Sequence, residues 1–562
     1  MYVPELRKSI ATVSLSGALP DKLTAVAAAG FDGVEIFDND LIACRLTPEQ
    51  VRERAEDLGV GIDLFQPMRD IEGAPPERFA DNIRRAEHKF RIMRRLGANL
   101  LLACSSVAPD TIDDDELAAS QLRTLAEHAA EHGIRIAYEA LAWGRHVHDY
   151  LHAWRVVRMA DHPNLGTGLD SFHILSRGTD PVGIEAIPGD RIFYLQLADA
   201  PRLAMDVLQW SRHYRCFPGQ GDFDVAGLTA HALRAGYTGP LSLEVFNDEF
   251  RQGPVELTAI DAMRSLLALE EQVRGISPST PTGIGFAELA AKDPGRVGNL
   301  LNTLGFVESD GTWSQGRARI VLKAARTTEL TGFGVESKDP DAALDRARTL
   351  LAPVADDSSV RTPDGARLSF SPLSTGDDEA EVSHIDHLAL IQPRHQFDAA
   401  GLFYRSVLGL DPQPSVEFAD PFGLVRSRAM AGDDGGVRIA LNLAATDDPD
   451  AGPNERRAQH VAFACRDLLA TARRLREIPG VLLPIPDNYY DDLEARYDLA
   501  PEMHRTLRDL GVLYDRDENG EFLHLYTVTI GRVFFELTQR LGGYRGYGMQ
   551  NSSIRLAAQH DA

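Results

Sequence analysis

The first half of the chain alternates short apolar runs with amphipathic stretches. Strand-like runs stand at 8–15 (KSIATVSL), 32–37 (DGVEIF), 60–66, 98–104, 134–141, 164–170, 191–198 and 240–246. Between them, 20–30, 76–97 and 113–133 carry apolar residues at helical spacing, and each closes on glycine, as a helix C-terminus does. Eight strands alternating with helices predict a (β/α)8 TIM barrel of the α/β class. A doubly wound open sheet is the alternative. It usually carries a glycine-rich phosphate loop after the first strand, and SLSGALPDK contains no GxGxxG.

The pattern changes after VRGISPSTPTG (273–283), which is rich in Pro, Ser, Thr and Gly without periodicity. The expected organisation is a barrel over 1–275, a linker over 276–282 and a second domain over 283–562. The second domain contains a weak repeat. Residues 282–306 and 383–410 each read as strand, polar turn and a helix ending in LGF or LGL; 330–351 and 458–480 match in the same way. This pattern resembles paired βαβββ modules, the α+β vicinal-oxygen-chelate fold.

Composition narrows the partners. The net charge is −25, which argues against nucleic acid and against anionic membrane surfaces. The N-terminus lacks the apolar core of a secretory signal, and no apolar run is long enough for a transmembrane helix. Cys44, Cys104, Cys216 and Cys465 form no CxxC and read as reduced thiols. These features suit a cytoplasmic protein. They leave homo-oligomerisation open.

The strand ends carry the chemistry, because the active site of such a barrel lies at the C-terminal ends of its strands. Strand five ends in Glu139 and strand six in Asp170; strand seven carries Gln196 and strand eight Glu244. Gln196 is the anomaly: an amide inside FYLQLADA, where an unpartnered polar group costs a few kcal/mol. Three carboxylates and an amide at one mouth predict a divalent cation. An all-oxygen set suits Mg²⁺ or Mn²⁺ better than Zn²⁺, with Co²⁺ a further candidate. Arg69, His146, His148, His173, Arg212, His213, Arg215 and Gln220 stand on the loops beyond these strands. Arginines would suit an anionic substrate, and a histidine near the metal would move a proton.

LFQPxRDxEG, YEALAWG, LDSFH, YLQLADAP, RxFPGQG and LEVFND together resemble 3-dehydroshikimate dehydratases built on the sugar-phosphate isomerase barrel. The resemblance implies metal ligands at Glu139, Asp170, Gln196 and Glu244. It implies loss of water from 3-dehydroshikimate to give protocatechuate in quinate/shikimate catabolism: proton abstraction, a metal-stabilised enolate and departure of hydroxide. His173 is the candidate base and then acid. Arg69 and Arg215 are candidates to clamp the substrate carboxylate, and His146 is a further catalytic candidate. A keto-sugar isomerase or epimerase on the same barrel is the alternative.

In the second domain, hand alignment of the repeat places His387 opposite Phe286 and His460 opposite Gly332, with Glu536 as a third polar strand residue. Two histidines and a carboxylate suit a non-haem Fe(II) facial triad. IDHLAL, QHVAFA, PDNYYDDLEARYDL and FFELTQR resemble 4-hydroxyphenylpyruvate dioxygenase, and the implied ligands fall on His387, His460 and Glu536. His524 replaces that family's usual glutamine, Asn442-Leu443 replaces an Asn-Glu pair, and the tail YRGYGMQNSSIRLAAQ replaces its Phe-rich gate helix. The expected role is a metal-binding module, with Fe²⁺ or Mg²⁺, that is supportive or of unknown function. An active Fe(II) keto-acid dioxygenase is the alternative.

Overall fold

The computed structural model describes residues 6–377, 379–420, 423–432, 435–443 and 458–561. The first five residues of the stretch examined for a secretory signal lie outside the described residues. The chain forms two compact units, Met1–Ser277 and Pro278–Ala562.

The first unit is a closed barrel of eight parallel strands: β1 Lys8–Ala11, β2 Gly33–Phe37, β3 Gly61–Arg69, β4 Leu100–Cys104, β5 Arg135–Glu139, β6 Leu165–Asp170, β7 Ile192–Leu197 and β8 Leu241–Leu243. β8 pairs back onto β1 with Ser9 opposite Ser242. β4, β6 and β7 are buried along their whole length, because helices cover one face and the barrel interior the other. The helices form where the apolar spacing places them. Asp115–Glu131 buries Ala118, Leu122, Leu125 and Ala129 on one face, and Asp114 caps it by accepting from the N–H groups of Glu116 and Leu117. Pro76–Leu96 ends at Gly97, whose φ of 81° is the left-handed conformation that closes a helix.

β1 and β8 end well before their sequence runs do. β1 ends at Ala11 rather than residue 15, and a 3-10 turn over Thr12–Ser14 follows. There the hydroxyls of Thr12 and Ser14 accept N–H groups from Phe37 and Val245, so side chains replace the ladder. β8 stops at Leu243, so Glu244 lies just past the strand; its N–H still bonds the Leu197 carbonyl.

The second unit is a mixed sheet with helices. Its central neighbours are Ala318–Ala324, Gly283–Ala291, Val382–Gln392, Gln459–Cys465, Val533–Gly542 and Gly520–Tyr526. The two copies of the repeat have matching ladders. In the first, Phe286 pairs with Gly334 and Glu288 with Gly332. In the second, His387 pairs with Ala462 and Ala389 with His460. The ladder thus sets His387 at the place of Phe286 and His460 at the place of Gly332.

Candidate functional site

Asp170 and Gln196 are register partners across β6 and β7. Glu139, Asp170, Gln196 and Glu244 are all buried, although each is polar. Asp170 Oδ1 accepts from the N–H groups of Phe172 (2.6 Å) and His173 (3.3 Å), which starts the helix Ser171–Leu175 and fixes the carboxylate. Its Oδ2 takes Arg215 Nη1 at 2.7 Å, and the same nitrogen reaches Glu244 Oε2 at 3.0 Å. Arg215 is itself buried and packs on the Phe172 ring at 4.6 Å. The structure therefore draws Arg215 into the carboxylate cluster.

Two oxygens aim at nothing. Glu139 Oε1 and Gln196 Oε1 are buried and have no hydrogen-bond partner. The other half of each group is fixed: Gln196 Nε2 donates to Glu35 Oε2 at 2.7 Å, and Glu139 Oε2 accepts from Cys104 Sγ at 3.5 Å. Charge balance repeats the message. Burial, then Asp170 and Glu244, push Glu139 well above the usual carboxylate range. Burial likewise pushes Glu244 up to about 7 against the pull of Arg215. Burial raises Asp170, but the charge and hydrogen bond of Arg215, with the His173 backbone N–H, hold it below its usual value. One buried guanidinium does not neutralise these acids. The unpartnered oxygens and the excess negative charge fit a divalent cation with oxygen ligands. Glu139, Asp170 and His173 each bring one ligand atom within 4.8 Å of the others.

His173 is buried, and burial pushes its ring down to about 3, so it is neutral. Its Nδ1 faces the Ala142 N–H at 3.1 Å and its Nε2 faces Arg215 Nη2 at 3.3 Å; both partners only donate, so they compete for the single acceptor nitrogen of a neutral ring. Arg69, half-buried at the end of β3, adds positive charge: after burial, Arg69 and Arg215 hold Arg212 below its usual value. His146 has other company. Its Nε2 lies 3.0 Å from the Thr111 carbonyl, and its polar contacts are with the loop after β4 rather than with the carboxylates.

The second unit gathers a separate cluster. His387, His460 and Glu536 come from three adjacent strands. Nε2 of His387 lies 3.1 Å from Nε2 of His460 and 3.1 Å from Glu536 Oε2, and His460 Nε2 lies 3.0 Å from the same oxygen. All three are buried. Asp386 Oδ2 faces His387 Nδ1 at 2.8 Å, which directs Nε2 at the cluster. Burial pushes His460 down to about 4. Two imidazole nitrogens and one carboxylate oxygen converging on a point fit a divalent cation with open positions. In the first copy the Phe286 ring fills the equivalent place, lying against Gly334.

Residues 23–269 match the xylose isomerase-like TIM barrel family, and residues 384–519 match the glyoxalase/bleomycin resistance protein/dioxygenase superfamily. A 3-dehydroshikimate dehydratase of Pseudomonas putida is 44% identical, over 99% of this chain and 98% of its own. A 3-dehydroshikimate dehydratase of Pseudomonas aeruginosa is 43% identical, over 99% of both. A solved xylose isomerase-like TIM barrel/4-hydroxyphenylpyruvate dioxygenase fusion protein superposes with a TM-score of 0.91 at 42% identity, over 99% of both chains. The chain belongs to the 3-dehydroshikimate dehydratase family.

In this dehydratase family member, several residues that shape the barrel site are not singled out by sequence reasoning. Glu35, in the middle of β2, is fully buried and accepts from Gln196 Nε2, from Gln66 Nε2 at 2.7 Å and from Ser242 Oγ. Asp199 accepts four backbone N–H groups, from Ala200, Gly219, Gly221 and Phe223, at 2.8–3.0 Å. It holds the PGQG loop against the end of β7. Burial pushes it up to about 6 although these N–H groups favour its charged form. The available signal was the one that exposed Gln196: an isolated polar residue in an apolar run, here VEIF for Glu35. No helix is long and apolar enough to cross a membrane among the described residues.

Proposed function

We propose that this chain is a metal-dependent hydro-lyase that removes water from 3-dehydroshikimate to give protocatechuate. One observation carries the reading: in a chain alike over its full length to 3-dehydroshikimate dehydratases, two buried oxygens, Glu139 Oε1 and Gln196 Oε1, stand without partners among three acids that share one guanidinium. Glu139, Asp170, Gln196 and Glu244 would hold the ion. When bound, a divalent cation supplies Lewis-acid stabilisation of the negative charge that develops on the ketone oxygen as the neighbouring carbon loses its proton.

The chain's own residues do the rest. Arg69 and Arg212 line the positive side of the mouth and suit the substrate carboxylate, whereas Arg215 is committed to Asp170 and Glu244. His173, a neutral ring with one basic nitrogen, would take the substrate proton and, as the imidazolium so formed, return it to the hydroxyl that departs as water. The donor that faces its basic nitrogen, the Ala142 N–H or Arg215 Nη2, must give way as the ring takes that proton. His146 acts by tying the loop after β5 to the loop after β4. The ions in view are Mg²⁺, Mn²⁺ or Co²⁺ in the barrel and Fe²⁺ or Mg²⁺ at His387, His460 and Glu536. The second domain is read as a cation-binding module that does not perform the dehydration.

The test is an absorbance assay for protocatechuate with purified protein. Activity is expected to disappear with EDTA and with Glu139→Ala, and to return to the wild type when Mg²⁺, Mn²⁺ or Co²⁺ is restored. Full turnover in thoroughly stripped protein would remove the metal from the reading. No turnover with any ion would remove the dehydratase and bring keto-sugar isomerisation forward.

A further inference from the structure

The segment after the last strand of the second unit is bonded to the supports of two proposed cation ligands. On one side, Asn551 Nδ2 donates to the Tyr514 carbonyl at 3.0 Å, which settles which end of its amide is nitrogen. The same nitrogen lies 2.9 Å from His524 Nε2. His524 Nε2 is thus an acceptor, and the ring proton must reside on Nδ1. That nitrogen lies 2.8 Å from Glu536 Oε1 and donates to it. Oε1 is thereby taken, and Oε2 alone is left facing His387 and His460.

On the other side, Arg540 grips Asp386 through Nε and Nη2, both at 2.8 Å, and Asp386 orients His387. Arg540 Nη1 donates to the Gly546 carbonyl at 2.7 Å. Gly548 completes the fit. Its φ is 60°, and a Cβ there would lie 2.9 Å from the His524 ring, so only glycine allows the segment to pack so closely. Tyr544 anchors the segment, donating to Asp515 Oδ2 at 2.6 Å and accepting the Gly548 N–H at 3.0 Å.

We propose that the segment Tyr544–Asn551 is an integral part of the second-domain cation site, so that its docking and the binding of a divalent cation stabilise one another. One relay runs Asn551–His524–Glu536; the other runs Gly546–Arg540–Asp386–His387. Asn551, His524 and Arg540 are positioning residues. The inference rests on the reading of His387, His460 and Glu536 as cation ligands. Because coupling is reciprocal, whatever loosens the segment must weaken the ion by the same factor by which removing the ion loosens the segment.

The test uses the full chain with Mn²⁺ as the probe, in a Glu139→Ala background that silences the barrel site. Bound Mn²⁺ is followed by electron paramagnetic resonance in competition with a chelator. Adding Glu536→Ala should abolish the remaining ion; if it does not, the ligand reading itself fails. Adding Asn551→Leu, or Gly548→Ala as an independent variant should the first not fold, should weaken Mn²⁺ by about 10-fold, the usual scale for an outer support. Loss with Glu536→Ala but affinity within about twofold of the parent for both tail variants overturns the coupling and leaves the ligands standing. In the wild-type chain, stripping the ion should speed tryptic cleavage after the exposed Arg545 by a comparable factor. A cleavage rate indifferent to Mn²⁺ also overturns the proposal.

Discussion

Gln196 works as an oxygen ligand only if its amide cannot turn over. Glu35 supplies that restraint: its Oε2 accepts the amide nitrogens of both Gln196 and Gln66 at 2.7 Å, which leaves Gln196 Oε1 to face the site. Glu35→Leu removes the acceptor, and the barrel ion should bind about 10-fold more weakly, measured by chelator competition against the Co²⁺ absorption spectrum. Glu35→Gln, which keeps an acceptor, should lose less; equal losses would make Glu35 a packing residue. Glu72 tests a different quantity. It is buried beneath Ser106, whose N–H it accepts, and burial pushes it up to about 7 from 4.5. Between those values the folded chain binds more protons here than the unfolded chain, so this group makes stability fall as pH rises through the window. Glu72→Gln should flatten that slope, by at most about 3 kcal/mol across it, in urea melts taken from pH 4.5 to 7. An unchanged slope would show that Glu72 does not titrate there. At this scale the sequence revealed residues that break an apolar pattern, and Gln196 was found that way. Glu35 breaks the pattern of VEIF equally, but its partner lies 161 residues away, and that pairing exists only once the barrel closes.

At the scale of elements, all eight barrel strands stand where the apolar runs predicted them, because each run is bounded by glycine, proline or charge. Their ends were less legible. β1 stops early because hydroxyls of Thr12 and Ser14 outbid the ladder, and that competition depends on backbone supplied by β2 and by the segment after β8. The repeat in the second unit was readable because both copies keep the same strand order and ladder register. What fills the equivalent place in the first copy was not. There, a Cβ on Gly334 would lie 2.2 Å from the Phe286 ring. Gly334→Ala should therefore destabilise the second unit by about 1–3 kcal/mol, read from denaturant melts, and Gly334→Ala/Phe286→Leu should recover part of that loss. No loss would mean that the ring turns aside freely. A histidine at Gly332 faces a harder obstacle, since its Cβ would meet the Arg367 carbonyl at 2.8 Å. The first copy is shaped by backbone as well as by side chains against regaining the ligands of the second.

The whole chain carries two proposed cation sites of different chemistry. The barrel offers three carboxylates and an amide oxygen; the second unit offers two imidazoles and one carboxylate. Oxygen-only sites suit Mg²⁺ and Mn²⁺, whereas imidazole strengthens binding of the later transition ions more than of Mg²⁺. A single chain should therefore sort a mixture of ions between its sites. Stripped protein given Co²⁺ with a large excess of Mg²⁺ should take up a higher Co²⁺ to Mg²⁺ ratio at the second site than at the barrel. Elemental analysis of Glu139→Ala and Glu536→Ala chains, each keeping one site, separates the two occupancies. The reason is differential: Mg²⁺ gains little from trading a carboxylate for imidazole, while Co²⁺ gains substantially. The proposed barrel site would then keep an abundant hard ion while the proposed site of the second unit held a scarce softer one, without either needing high absolute selectivity. Equal ratios in the two variants would show that geometry, rather than donor type, governs what this chain binds.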